Sequence, residues 1–156
     1  MTDIRAATVD VYVLRRRADA WDALLLQRAE GTRCTGAWEA VHGHIEEDER
    51  PEHAARRELR EETGLVAERL YNVIVQPFYL HTLGPGTITL AVAFAAVVAP
   101  DAIVALGDEH QKSDWMTLGR ARSTIAWPRS RDALAQIEIL LATGDAGPLE
   151  DVLRVE

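Results

Sequence analysis

The sequence predicts an α/β protein in which a mixed β-sheet is sandwiched between helices. Three observations lead there. Strand-like segments lie on both sides of one well-bounded central helix, over 7–14 and 24–27 before it and 68–80 and 86–98 after it. Residues 131–142 carry a second, amphipathic helix. Sheet faces and helix stripes must bury against one another, and a layered α/β/α arrangement does that for this order of elements.

Ala7 to Leu14 alternates apolar and polar residues, the period of a half-buried strand. Arg15 to Asp22 is polar and reads as a hairpin loop. Leu24 to Gln27 is a short apolar run, a buried strand, and Arg28 to Gly36 is a loop. Trp38 to Ile45 is extended and leads into the helix. Beyond it, Glu68 to Leu80 and Gly86 to Val98 are β-rich, and Gly84-Pro85-Gly86 between them predicts a hairpin turn. Ala99 to Gln111 reads as a loop, Ser113 to Leu118 as a short strand and Gly119 to Ile125 as a short helix. Leu134, Ile137, Leu140 and Leu141 give the last helix its apolar stripe, and Gly144 ends it. The last dozen residues read as a short helix or a tail. No repeat or linker divides the chain, so 1–156 is expected to be one domain.

The central helix has clear ends. Pro51 suits the first turn, where its missing N–H costs nothing. Gly64 suits the position just past the last turn, which favours a left-handed residue. Between them run good helix formers from Ala54 to Glu61. On this helix Glu58 and Glu62 are neighbours at i, i+4, and Glu61 lies beside them within an arc of roughly 100°. Like charges at that spacing repel. A solvated, salt-bridged helix would tolerate the cluster. A divalent cation would neutralise it, and hard carboxylate oxygens suit Mg²⁺ or Mn²⁺.

The frame around the helix decides between these readings. From Gly43 to Leu65 the chain fits Gly-x5-Glu-x7-Arg-Glu-(apolar)-x-Glu-Glu-x-Gly-(apolar), with Gly43, Glu49, Arg57, Glu58, Leu59, Glu61, Glu62, Gly64 and Leu65 in place. This is the signature of the Nudix hydrolases, and the chain resembles that family. The resemblance implies the Nudix fold, an α/β/α sandwich. It also implies a Mg²⁺- or Mn²⁺-dependent reaction in which water attacks phosphorus in a nucleoside diphosphate linked to another moiety.

By position, the resemblance makes Glu58 and Glu62 direct metal ligands and Glu61 a ligand or a holder of metal-bound water. The backbone carbonyl of His42 would join the metal site. Glu49 and Arg57 resemble the pair that orients the helix carboxylates. Asp48, Val41 and His42 depart from the usual entry to the motif and bear on loop geometry, while every carboxylate is kept. Two histidines, His42 and His44, without cysteine partners are a poor zinc set. Glu109, on the loop before a Trp115-containing strand, resembles the further metal ligand or base of many members, although an exposed loop acid reads the same. Glu109-His110 before Trp115, with Trp38-Glu-Ala-Val-His-Gly43 upstream, looks most like the branch cleaving pteridine or deoxynucleoside triphosphates. Arg28 is a candidate phosphate clamp or a solvated arginine. Trp38 and Tyr79 are candidates to stack on a base or to pack in the core.

Composition bounds the partners. Hydrophobic residues make up 47% of the 156, which is globular and not disordered. The net charge of −8 argues against a nucleic-acid polymer, whose binding needs many Lys and Arg contacts to phosphate. A small nucleotide or related polyphosphate remains open, because metal ions can bridge acidic residues to phosphate. The single cysteine, Cys34, allows no intramolecular disulfide and fits a reducing cytoplasm. Met1 to Ala7 lacks the apolar core of a leader peptide, and the run from Leu90 to Pro100 is too short to span a bilayer. Exposed strands leave a homodimer open. The rival to an enzyme is a noncatalytic Nudix-like nucleotide-binding or sensor domain, which the retained Glu58, Glu61 and Glu62 argue against.

Overall fold

A computed structural model describes residues 3–155 of the chain. Met1 and Thr2, the start of the stretch read above for a leader, lie outside them. Eight strands form one mixed sheet: β1 (Asp3–Arg17), β2 (Ala20–Arg28), β3 (Trp38–Glu39), β4 (Val41–His44), β5 (Arg69–Phe78), β6 (Thr87–Val97), β7 (His110–Thr117) and β8 (Arg154–Val155). The helices are α1 (Pro51–Thr63), α2 (Leu118–Thr124), α3 (Pro128–Leu140) and α4 (Glu150–Leu153). The main path runs β3-β2-β1-β6-β5-β8, with β4 also paired to β1 and β7 to β2. β1 runs parallel to β6 and antiparallel to β2 and β4.

Both faces of the sheet are covered, as expected of the sandwich. Along β1, Val9, Val11 and Val13 point to one face and Tyr12 and Leu14 to the other, the period-two alternation of a strand. The valine face packs against Ala54, Ala55 and Leu59 of α1. The opposite face packs against Ala133, Leu134 and Ile137 of α3. The carboxylate helix therefore lies on one side of the sheet with its apolar stripe down.

Some expected bounds shift. The hairpin loop expected over Arg15 to Asp22 shrinks to Ala18 and Asp19, because Arg15, Arg16 and Arg17 pair with Asp22, Trp21 and Ala20 across the ladder. Asp22 draws in both Arg15 and Arg17, at 3.3 and 3.1 Å, so polar residues that read as a loop hold strand ends together. β7 begins at His110, earlier than expected, by pairing with Arg28 of β2. α3 begins at Pro128, placed at its start as Pro51 is in α1. The last residues form α4 and then β8, which pairs Val155 with Leu70 on the outer edge of β5.

The Gly-Pro-Gly turn takes a short 3₁₀ turn, His81–Leu83, into Gly84 and Gly86, both with positive φ. α1 ends as the sequence predicts, with Gly64 at φ 70° and its N–H on the carbonyl of Arg60.

Candidate active site

Five parts of the chain meet around a cleft of about 580 Å³. β4 brings His42 and Gly43. α1 brings Arg57, Glu58, Glu61 and Glu62. The loop into β7 and the first residue of that strand bring Asp108, Glu109 and His110. The ends of β2 and β3 bring Arg28 and Glu39.

Gly43 is required by contact. A Cβ there would lie 1.9 Å from Glu58 Cδ and 2.2 Å from its Oε1. Only a residue without a side chain lets this carboxylate lie across the β4 backbone. Gly107 anchors the opposite wall, donating its N–H to the Glu62 carbonyl at 3.0 Å.

Arg57 is the hub on the motif side. Its Nε and Nη2 grip Glu49 at 2.9 and 2.8 Å, and Nη2 also reaches the His44 carbonyl at 2.9 Å. Its Nη1 donates to Glu58 Oε1 at 2.6 Å and to Glu61 Oε2 at 3.3 Å. The Arg57 fork and the Glu46 N–H hold the Glu49 carboxyl down to about 2. Burial pushes Glu58 up, against the pull of Arg57.

Glu62 is the buried one of the three cleft glutamates of the helix. Its Oε1 accepts the His42 N–H at 3.4 Å, while Oε2 has no hydrogen-bond partner among the described residues. Burial, with the charges of Glu58 and Glu39 beside it, raises its carboxyl to about 9.

The opposite wall holds a chain of contacts. His110 is 1% exposed; its Nε2 lies 3.0 Å from Glu39 Oε1 and its Nδ1 3.7 Å from Glu62 Oε2. Arg28 Nη1 sits 3.4 Å from both Glu39 and Glu109, and its Nε donates to the Arg33 carbonyl at 2.9 Å. Arg28 thus lines the cleft with its guanidinium already engaged. On the side toward α3, buried Asp10 takes His42 Nδ1 at 2.6 Å and Arg129 Nε at 3.0 Å. Burial alone would raise the Asp10 carboxyl, but His42 and Arg129 more than offset it and hold it low.

The candidates Glu58, Glu61, Glu62, Arg57, His42, Arg28 and Glu109 all line the cleft, and Glu49 stands behind Arg57. Trp38 and Tyr79 do not line it. Trp38 packs against the apolar cluster on the α3 side of the sheet, and Tyr79 is exposed. The cleft aromatic is Trp127, beside Leu80. Sequence reasoning passed over Trp127, Glu39, His110 and Asp10 as site residues. Glu39 follows Trp38 and His110 follows Glu109, so both lay inside quoted patterns with no sign that they would be buried together. Asp10 falls on a polar position of the alternating strand 7–14, which reads as solvent-facing, so its burial left no signal.

Among the described residues, no three His, Cys, Asp or Glu side chains converge as a ready-made metal cage. The donor set nevertheless fits a hard divalent ion. Mg²⁺ is commonly held by one or two carboxylates together with water and substrate phosphates. Glu62 offers a buried oxygen with no partner among the described residues, and Glu58 and Glu61 offer carboxylates that Arg57 holds on the cleft wall.

The NUDIX domain family model matches residues 4–137. The chain belongs to the Nudix family. This Nudix chain is 32% identical over 127 residues to a Myxococcus xanthus protein named octanoyltransferase, covering 81% of the chain and 35% of that protein. It is 25% identical over 143 residues to putative nudix hydrolase 1 of Caenorhabditis elegans, covering 92% of the chain and 37% of that protein. The chain spans little more than a third of the length of these curated relatives. Among solved structures it is similar to a C. elegans Ap4A hydrolase binary complex, with a TM-score of 0.73 and 22% identity over 90% of the chain and 98% of that one. That likeness shows that the Nudix fold is shared.

Proposed function

We propose that this protein is a metal-dependent Nudix pyrophosphohydrolase. It cleaves a nucleoside diphosphate linked to another moiety by water attack on phosphorus, with a nucleoside or pteridine triphosphate favoured as substrate. The observation that carries this is the stack of Glu58, Glu61 and Glu62 along one cleft wall, two of them gripped by Arg57 and one crossing the backbone at Gly43.

Phosphoryl transfer needs positioning and charge neutralisation more than covalent help. Bound Mg²⁺ or Mn²⁺ would neutralise phosphate oxygens against these carboxylates. Glu58 and Glu62 would hold the ion, with Glu61 and the His42 carbonyl as further donors. Arg57, fixed by Glu49, keeps Glu58 and Glu61 oriented. Glu109, across the cleft and 65% exposed at its side chain, would take the proton of the attacking water. Trp127 and Leu80 give an apolar wall for the planar part of the substrate.

The test is hydrolysis of a panel of nucleoside triphosphates and diphosphate-linked nucleotides. Turnover with Mg²⁺ or Mn²⁺ that is lost in chelator is expected. Glu58→Gln and Glu62→Gln should each cost orders of magnitude in kcat. Equal turnover with and without chelator would sink the metal mechanism. Tight nucleotide binding without turnover would favour a sensor domain instead.

A further inference from the structure

Glu62 Oε2 and His110 Nδ1 are both fully buried, and neither has a hydrogen-bond partner among the described residues. They lie 3.7 Å from each other. Leaving a buried polar atom unpaired costs roughly 1–3 kcal/mol. Two such atoms facing each other at a few tenths of an ångström beyond bonding distance are a contact held slightly open. The other nitrogen of the same ring is fixed, because Nε2 sits 3.0 Å from Glu39 Oε1. Glu39 is itself braced by Arg28 Nη1 at 3.4 Å and Trp127 Nε1 at 3.5 Å. His110 cannot turn away from Glu62 without breaking this brace.

We propose that His110 is the positioning residue of Glu62, with Glu39 as its strut. The imidazole, clamped by Glu39, presents Nδ1 to Glu62 Oε2 and so fixes the plane in which that carboxylate meets a divalent cation. His110 touches neither substrate nor ion and acts only through Glu62. The inference rests on the reading of Glu62 as a metal ligand. Partners of this kind, standing behind a ligating carboxylate, typically change metal affinity by roughly 10–100-fold when lost.

The experiment titrates the intact protein with Mn²⁺ alone and reads free Mn²⁺ by electron paramagnetic resonance, so that no substrate is needed. His110→Gln keeps an amide toward Glu39 and loses the ring nitrogen that faces Glu62. It should weaken Mn²⁺ binding roughly 10–100-fold while melting near the wild-type temperature. His110→Asn places a polar amide near the position of Nδ1 and should recover part of the loss. Glu39→Ala frees the ring and should weaken Mn²⁺ binding in the same direction, which keeps the test open if a His110 variant fails to fold. A folded His110→Gln protein that binds Mn²⁺ within about twofold of wild type would overturn the proposal. A wild-type protein that binds no Mn²⁺ at millimolar concentration would instead overturn the metal-dependent reaction, and this role with it.

Discussion

Arg57 holds Glu49 with a two-pronged grip, Nε on Oε1 at 2.9 Å and Nη2 on Oε2 at 2.8 Å. The two residues are eight apart in sequence, one on the loop before α1 and one on the helix itself. The grip ties the loop to the helix and leaves Nη1 for Glu58 and Glu61.

Arg57→Lys should therefore keep the charge and lose the fork, because an ammonium cannot bond both oxygens of Glu49 in one plane. Misplacing a reacting group by about 1 Å can cost roughly a hundredfold. A fall in kcat of that order, with faster amide exchange over 45–49, is expected. Unchanged kcat would mean that the carboxylates do not need the fork.

Gly43→Ala places a methyl group where Glu58 now lies, 1.9 Å from its Cδ. The carboxylate must swing away while the β1–β4 ladder can persist. Turnover should drop about a hundredfold, with a far-ultraviolet spectrum like wild type. Wild-type kcat in a folded variant would show that Glu58 does not act from its present position.

Glu62 gives the metal-free protein a pH signature. Its carboxyl stands near 9 in the fold, against about 4.5 when unfolded. Between these values the folded state binds the extra proton, so stability falls as pH rises through that window. Melting temperature without metal should decline from pH 5 to pH 9, and Glu62→Gln should flatten the decline. Mg²⁺ should raise the melting temperature more at pH 8 than at pH 5, because it binds the ionised form. A decline that is just as steep in Glu62→Gln would place its origin elsewhere.

Glu109 has an exposed side chain held by Arg28 at 3.4 Å, on a loop whose backbone is tied to Ala29 and Glu62. As the base it should show a strong loss of kcat in Glu109→Gln with little change in KM. Asp108, its neighbour in the cleft, is the control. Full activity in Glu109→Gln beside a dead Asp108→Asn would assign the base to Asp108.

The helix and its motif were legible because local rules fix them. Pro51 and Gly64 set its ends, and the spacing of Glu58, Glu61 and Glu62 sets its acidic face. The strands were legible in kind but short in extent, since the cross-strand pairing of Arg15 and Arg17 with Asp22 cannot be seen in a polar run. On the far wall Arg28 and Glu109 were picked out, but the buried pair behind them was not. Glu39 and His110 are 71 residues apart and meet only because β3 and β7 both pair with β2. Trp38 carried a conspicuous signal and packs against the core, while Trp127, before a proline, stands in the cleft. Aromatic type alone does not say which face of an element a residue will occupy.

The parallel pairing of β1 with β6 aligns Val9 with Val92 and Val13 with Ala96. A chain made from its N-terminus must hold β1 without its central partner until some eighty residues later. At roughly 5–20 residues per second, that wait lasts about 4–16 s on the ribosome. α1 is synthesised in this interval, so its acidic face exists before the sheet beneath it is complete. The first strand spends the same interval as an apolar edge open to other chains, and chaperone supply during translation should govern how much of this protein reaches its folded form.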